Sequence, residues 1–206
     1  MPAEPAIDIA VFARAPVAGQ AKTRLIPLLG AQGAAALQQR LIEHTLATAR
    51  AVPRARVTLW VAGDLAHPFV TEAAARHGAA LAGQHGADLG ERMNHAFEAA
   101  GAPLVLVGTD CPQLSPADLG AAAAALAAHE VVIQPATDGG YVLIGLARPQ
   151  PPLFESIDWG GAQVLTQTRA RIDALGLRCL LRPPLDDLDT PADLRRALAA
   201  GWLEAP

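Results

Sequence analysis

The chain has 206 residues, 51% hydrophobic and 17% charged, enough for one sizeable core and short for two. A formal net charge of -4 and an aromatic content of 4% supply neither a basic stripe nor stacking surfaces, so nucleic acid is excluded as the expected partner. The two cysteines, Cys111 and Cys179, form no disulfide framework or metal knuckle, and no apolar run reaches the roughly 20 residues that span a bilayer. A single cytoplasmic domain over 1–206, away from membranes, is the expectation; a homo-oligomer is left open.

Residues 6–13 are short, largely apolar and partly β-branched, which predicts a strand buried on both faces of a parallel sheet. The strand feeds a loop over 14–24 that carries proline, glycine and the cations Arg14, Lys22 and Arg24, but no acid. After the first strand of an α/β unit, backbone N–H groups and cations converge on phosphates, which makes Arg14, Gly19, Lys22 and Arg24 candidate nucleotide-binding residues. Of the 16 basic residues, Lys22 is the sole lysine. Where arginine serves everywhere else, a compact point charge is a catalytic or phosphate-binding candidate; its alternative is a solvated loop cation. The loop is neither a Walker A motif nor a Gly-x-Gly-x-x-Gly turn.

Spacing predicts an amphipathic helix over 33–51 and a strand over 56–62, a βαβ unit that starts a parallel sheet. A short helix over 69–77 and an edge strand over 79–82 follow. Polar residues and glycines over 84–93 then run into a helix over 89–100. Asp88 is placed to cap that helix or to bind a ligand, while Gln84 and Arg92 can meet a base or a phosphate.

The run over 104–108 ends at a glycine, and Asp110 follows at once, so a buried strand presents a carboxylate at the sheet edge. Ser115-Pro-Ala-Asp118 starts a helix that ends near His129. A strand over 131–134 leads to Asp138-Gly139-Gly140-Tyr141, which opens the next strand. That turn reads as a plain hairpin or as an acceptor site in which glycine admits substrate to the backbone and Asp138 binds a hydroxyl. Residues 154–159 are expected to cover the sheet edge or the acceptor. A helix over 162–175 and a strand over 177–181 precede Asp186, Asp187 and Asp189. These acids stand just before Thr190-Pro-Ala-Asp193, a second helix start of the Ser115 type.

Ligands of open α/β sheets bind beyond the carboxyl ends of the strands, where Asp110 and the late acids can meet. Mg²⁺ or Mn²⁺ takes carboxylate oxygens together with substrate phosphates and neutralises a diphosphate leaving group. Asp110 and Asp187 are the expected metal ligands, and Asp189, beside the cap threonine, reads as a solvated cap acid.

The segments 12–25, 88–93, 108–112, 138–146 and 187–191 together resemble an uncharacterised bacterial, glycosyltransferase-like family of the nucleotide-diphospho-sugar transferase superfamily. More distantly the chain is similar to phospholactate and molybdenum-cofactor guanylyltransferases. The resemblance implies an α/β, three-layer, Rossmann-like glycosyltransferase-A fold with a mainly parallel, mixed sheet. It also implies a metal on Asp110 and nucleotide phosphates on Arg14, Lys22 and Arg24. A metal-dependent glycosyltransferase with Lys22, Asp110 and Asp138 as catalytic residues, using a nucleotide sugar and a small-molecule acceptor, is expected; nucleotidyl transfer from a nucleoside triphosphate is the alternative. Asp138, Gly139, Gly140 and Tyr141 are the expected acceptor side. The first loop departs from the glycine-rich nucleotidyltransferase pattern, and Asp-Cys-Pro stands where many glycosyltransferases have Asp-x-Asp.

Overall fold

The structure is a computed structural model that describes residues 7–101 and 103–203; Ala6, expected to open the first strand, lies outside them. Strand β1 (Ile7–Arg14) is buried without interruption from Ile9 to Ala13. Its side chains alternate between two cores, Ile9, Val11 and Ala13 on one face and Ala10 and Phe12 on the other. This two-sided burial is why the segment reads as a continuous apolar run.

In chain order there follow α1 (Ile26–Arg50), β2 (Ala55–Ala62), α2 (Pro68–Arg76), β3 (Ala80–Gly83), α3 (Leu89–Ala100), β4 (Leu104–Gly108) and α4 (Pro116–Ala125). The second half adds β5 (Val131–Pro135), β6 (Tyr141–Leu146), α5 (Val164–Ala174), β7 (Cys179–Leu181) and α6 (Pro191–Ala199). The strands form one mixed sheet of order β3-β2-β1-β4-β6-β5-β7. All pairs are parallel except those of β6, which lies antiparallel to both β4 and β5. Helices α1, α2 and α4 cover the first core through Ile42, Leu46, Val70, Ala73 and Leu119. Helix α3, with Met93 and Phe97, and α5, with Ile172, cover the second. The three-layer α/β architecture expected from the sequence is present.

Element ends depart from expectation for local reasons. Gly30, at φ 70 and ψ 167, breaks the first turn of α1 away from the regular helix behind it. Helix α4 stops at Ala125 because the N–H groups of Leu126, Ala127 and Ala128 bond three residues back, which tightens the last turn before His129. Residues 154–159 do not form a cover over the acceptor side: Phe154 is buried in the second core, and the Trp159 indole sits so close to α3 that a Cβ on Gly90 would meet it at 2.7 Å.

A third, smaller core matters most for the site. Leu37 and Leu41 of α1, with Leu25, pack on Leu188 and on Leu194 and Ala197 of α6. Burying these side chains docks the carboxyl-terminal segment against the loop after β1.

Gly139 is fixed by packing. It lies at φ 97, and a Cβ there would come within 2.1 Å of the Ala162 carbonyl oxygen. Its own carbonyl accepts the Leu165 N–H at 2.9 Å, holding the start of α5. Gly139→Ala is expected to cost about 2 kcal/mol, the combined effect of left-handed strain and overpacking, or roughly 4–8 °C in Tm. Gly120→Ala, where a Cβ meets open space inside α4, is the control in the same thermal melt and should lose nothing.

Candidate functional site

Lys22 is the centre of the site. Its backbone is left-handed, at φ 47 and ψ 46, a conformation that persists in a non-glycine residue only where surroundings over-determine it. The surroundings are three acceptors for three ammonium hydrogens: Asp110 Oδ1 at 2.8 Å, Asp189 Oδ1 at 3.1 Å and the Leu188 carbonyl oxygen. The side chain is only 5% exposed. Burial alone would lower its pKa, but the two carboxylates outweigh it and hold the ammonium above the usual lysine value. Lys22 is therefore a buried, permanently charged bridge, which corrects the solvated-cation alternative.

The partners of Lys22 come from opposite ends of the chain. Asp110 follows β4 and accepts a hydrogen bond from Thr109 Oγ1 at 3.2 Å on the same Oδ1 that meets Lys22. The Leu188 N–H donates to the Asp110 carbonyl at 2.7 Å, stitching the late acidic segment to the end of β4. Asp189 also receives Arg24 at 3.3 Å. Capping of α6 is done instead by Thr190 and Asp193, so Asp189 belongs to the site and is not a solvated cap acid.

These groups line a cavity of about 740 Å³ beyond the carboxyl ends of β1, β2 and β4. Arg14, Lys22, Arg24, Gln84 and Arg92 are on its wall, as are Asp110, Asp138, Asp187 and Asp189. Gln84 is more constrained than expected. Its Nε2 donates to the Ala13 carbonyl at 3.2 Å and the Trp60 carbonyl at 3.0 Å, so only its side-chain oxygen is left to meet a ligand. Arg92 Nε donates to the Gly86 carbonyl at 3.1 Å. Asp88 caps α3 by accepting the Glu91 N–H at 2.9 Å.

On the expected acceptor side, Asp138 and Gly140 line the cavity, and Asp138 Oδ1 accepts the Gly140 N–H at 2.9 Å. Gly139 is not on the wall; the packing on Ala162 accounts for it. Gly19, likewise off the wall, supplies a turn at φ 82, and its neighbour Gln20 faces the cavity. Tyr141 is on the wall, but its hydroxyl is buried and burial pushes its pKa up, so the phenol is withdrawn from any acceptor. Asp186 is engaged elsewhere, by Thr137 Oγ1 at 2.8 Å and Arg196 at 3.2 Å. The Cys111 thiol is pushed up to about 12 by burial and stays protonated at neutral pH, which removes a cysteine nucleophile.

Two site residues were not anticipated, Gln38 and Thr109, both 3% exposed and both on the cavity wall. The available signal was a polar residue set in the apolar stripe of α1, between Ala34 and Ile42.

The oxygen-rich donor set suits a hard divalent cation. Among the described residues no three His, Cys, Asp or Glu side chains close around a common point. Asp187 is half-buried among other carboxylates. Its carboxyl is pushed up to about 6 by partial burial and then by Asp138, Asp189 and Asp193.

A folded-state pKa above the unfolded one means that the folded chain holds the extra proton between the ordinary value of 3.8 and about 6. Stability therefore falls as pH rises through that window. Asp187→Asn is expected to raise Tm above pH 6 and to flatten the profile between pH 4 and 6, both read by thermal melts of the metal-free chain.

The family model described as "Uncharacterized protein conserved in bacteria (DUF2064)" matches residues 45–161. A crystal structure of a candidate nucleotide-diphospho-sugar transferase from Desulfovibrio desulfuricans G20 is 30% identical, with a TM-score of 0.87 over 96% of this chain and 88% of that one. CMP:2-keto-3-deoxy-manno-octonic acid synthetase in complex with CTP superimposes with a TM-score of 0.62 at 14% identity, over 97% and 100% of the two chains. Glucosyl-3-phosphoglycerate synthase from Mycobacterium tuberculosis, bound to Mn²⁺, UDP and glucosyl-3-phosphoglycerate, superimposes with a TM-score of 0.59 at 12% identity, over 96% and 77%. No curated protein matches the chain. Among the described residues no helix is long and apolar enough to cross a membrane.

Proposed function

We propose, from the premise that this chain belongs to the bacterial family described as DUF2064 and has the nucleotide-diphospho-sugar transferase fold, that it transfers a sugar from a nucleoside-diphosphate sugar to an uncharged hydroxyl acceptor with the help of a divalent cation. One observation carries this reading: a single cavity beyond the strand ends brings four cations and four carboxylates together. Arg14 ends β1, Lys22 and Arg24 lie in the loop after it, and Arg92 belongs to α3. Asp110 follows β4, Asp138 joins β5 to β6, and Asp187 and Asp189 follow β7. The charges interlock where Lys22 meets Asp110 and Asp189 and Arg24 meets Asp189, and Arg14 and Arg92 stand outside these pairs.

Arg14 and Arg92, with Arg24 beside Asp189, suit a diphosphate as donors. The four carboxylates repel a phosphorylated acceptor and accept hydroxyl protons, which weighs against nucleotidyl transfer to a phosphate. Asp110 and Asp187 would hold Mg²⁺ or Mn²⁺ against the donor phosphates. The ion, when bound, supplies Lewis-acid stabilisation of the departing diphosphate. Asp138 orients the acceptor hydroxyl and takes its proton as the new bond to the sugar carbon forms. The bond from that carbon to the diphosphate oxygen breaks, and the electron pair leaves with the nucleoside diphosphate. Lys22 holds Asp110 and Asp189 in place.

Incubation with Mn²⁺ and a panel of nucleotide sugars, followed by chromatography, should release a nucleoside diphosphate that depends on added hydroxyl acceptor. Pyrophosphate from nucleoside triphosphates, with no diphosphate from any sugar donor, would overturn sugar transfer in favour of nucleotidyl transfer.

A further inference from the structure

Helix α1 sends one amide between the ends of β1 and β4. Gln38 is 3% exposed, and its Nε2 donates to the Arg14 carbonyl at 3.4 Å and to Thr109 Oγ1 at 3.3 Å. A carbonyl oxygen can only accept, so the amide nitrogen faces Arg14 and the orientation of the side chain is fixed by chemistry. Thr109, equally buried, passes its own hydroxyl hydrogen to Asp110 Oδ1 at 3.2 Å. Arg14 ends β1, Thr109 and Asp110 follow β4, and these strands are neighbours paired through Phe12 and Gly108. A buried amide therefore joins the end of β1 to the Asp110 carboxylate by way of Thr109, beside the direct Lys22–Asp110 pair made by the loop that follows β1. Leu37, Leu41 and Ile42 around it are buried and apolar.

Resting on the sugar-transfer reading above, we infer that Gln38 is a positioning residue that couples the Arg14 end of β1 to the Asp110 carboxylate. Through Gln38 and Thr109, a cation that settles Asp110 also settles the Arg14 loop, so that cation and nucleotide each strengthen the other's binding. The coupling is reciprocal by linkage, whichever ligand binds first. It sets donor affinity in the presence of metal and leaves metal-free nucleotide contacts to Arg24 and Arg92.

The test is calorimetric titration of the full chain with UDP and with GDP, each with and without Mn²⁺, with a thermal melt of every variant. The wild-type chain should bind at least one of these nucleotides more tightly with Mn²⁺. In Gln38→Leu that enhancement should fall by about 10-fold, within the usual range of coupling between sites, while metal-free affinity stays within about 2-fold. Thr109→Val should show the same loss, and the double variant should add little to either, since both act in one chain of contacts. A purely structural role would lower Tm and leave the enhancement intact, which overturns the inference, as does wild-type binding without any enhancement. If Gln38→Leu does not fold, Thr109→Val decides alone by the same two outcomes. A wild-type chain that binds neither nucleotide nor Mn²⁺ refutes the functional reading itself, a result separate from failure of the coupling.

Discussion

Lys22→Met is expected to destabilise the folded chain by about 2–3 kcal/mol and to remove most of its affinity for nucleoside diphosphates. Removing one partner of a buried ion pair commonly costs about 3–5 kcal/mol. The lower figure applies because Asp110 and Asp189 keep 44% and 37% of their side-chain surface in solvent, which screens the charges left behind. Methionine preserves length and apolar stem, so the loss reports the ammonium and not the space it fills. The three segments that meet at this group are also tied by the Leu188 N–H to the Asp110 carbonyl, by Arg24 to Asp189, by Gln38 between Arg14 and Thr109, and by the core of Leu25 on Leu188, all of which remain in the variant.

The Lys22 contribution is constant across neutral pH, because a raised lysine pKa keeps the group charged in both folded and unfolded chains until pH exceeds the ordinary 10.5. Denaturant melts at pH 6 and pH 8 should therefore show the same deficit. Equal stability of variant and wild type would mean that Asp110 and Asp189 are held apart by something other than Lys22.

Asp110→Asn is the second large effect. The change keeps shape and leaves an amide oxygen for Lys22, yet it removes the charge expected to hold the divalent cation. Loss of a group that only orients a metal ligand costs about 10- to 100-fold in affinity, so loss of the ligand itself should exceed about 100-fold for Mn²⁺. Metal-free Tm should change little, because Lys22 retains Asp189 and the Leu188 carbonyl. Titration with Mn²⁺ in the presence of UDP reads the first quantity and a thermal melt the second. Retained metal affinity in Asp110→Asn would move the metal site to Asp187 and Asp189 alone.

These effects depend on a site only partly legible in the chain. Asp110 was legible because a buried strand that stops at Gly108 brings the carboxylate two residues on to the sheet edge. The loop after β1 was legible through its cations, and the lone lysine among arginines pointed to Lys22. Asp189 was misread because it stands next to Thr190, where local grammar says cap; that grammar is satisfied by Thr190 and Asp193 without it. Gly139 carried two meanings in sequence, and only the approach of Ala162 selects one of them. Gln38 shows in sequence only as a polar residue in the apolar stripe of α1, which says nothing about which strand ends it faces.

The sequence by itself determined the layers: continuous apolar runs for strands buried on two faces, a 3.6-residue stripe for the helices, and serine or threonine before proline at two helix starts. These are local or periodic properties, written in neighbouring residues. Tertiary structure decided which charges meet. Lys22 and Asp189 are 167 positions apart, and their contact exists because Leu25, Leu37 and Leu41 bury Leu188, Leu194 and Ala197. The approach of Asp187 and Asp189 to Asp110 likewise depends on the Leu188 N–H reaching the Asp110 carbonyl beyond β4. Both outcomes come from long-range packing, which no window of sequence contains.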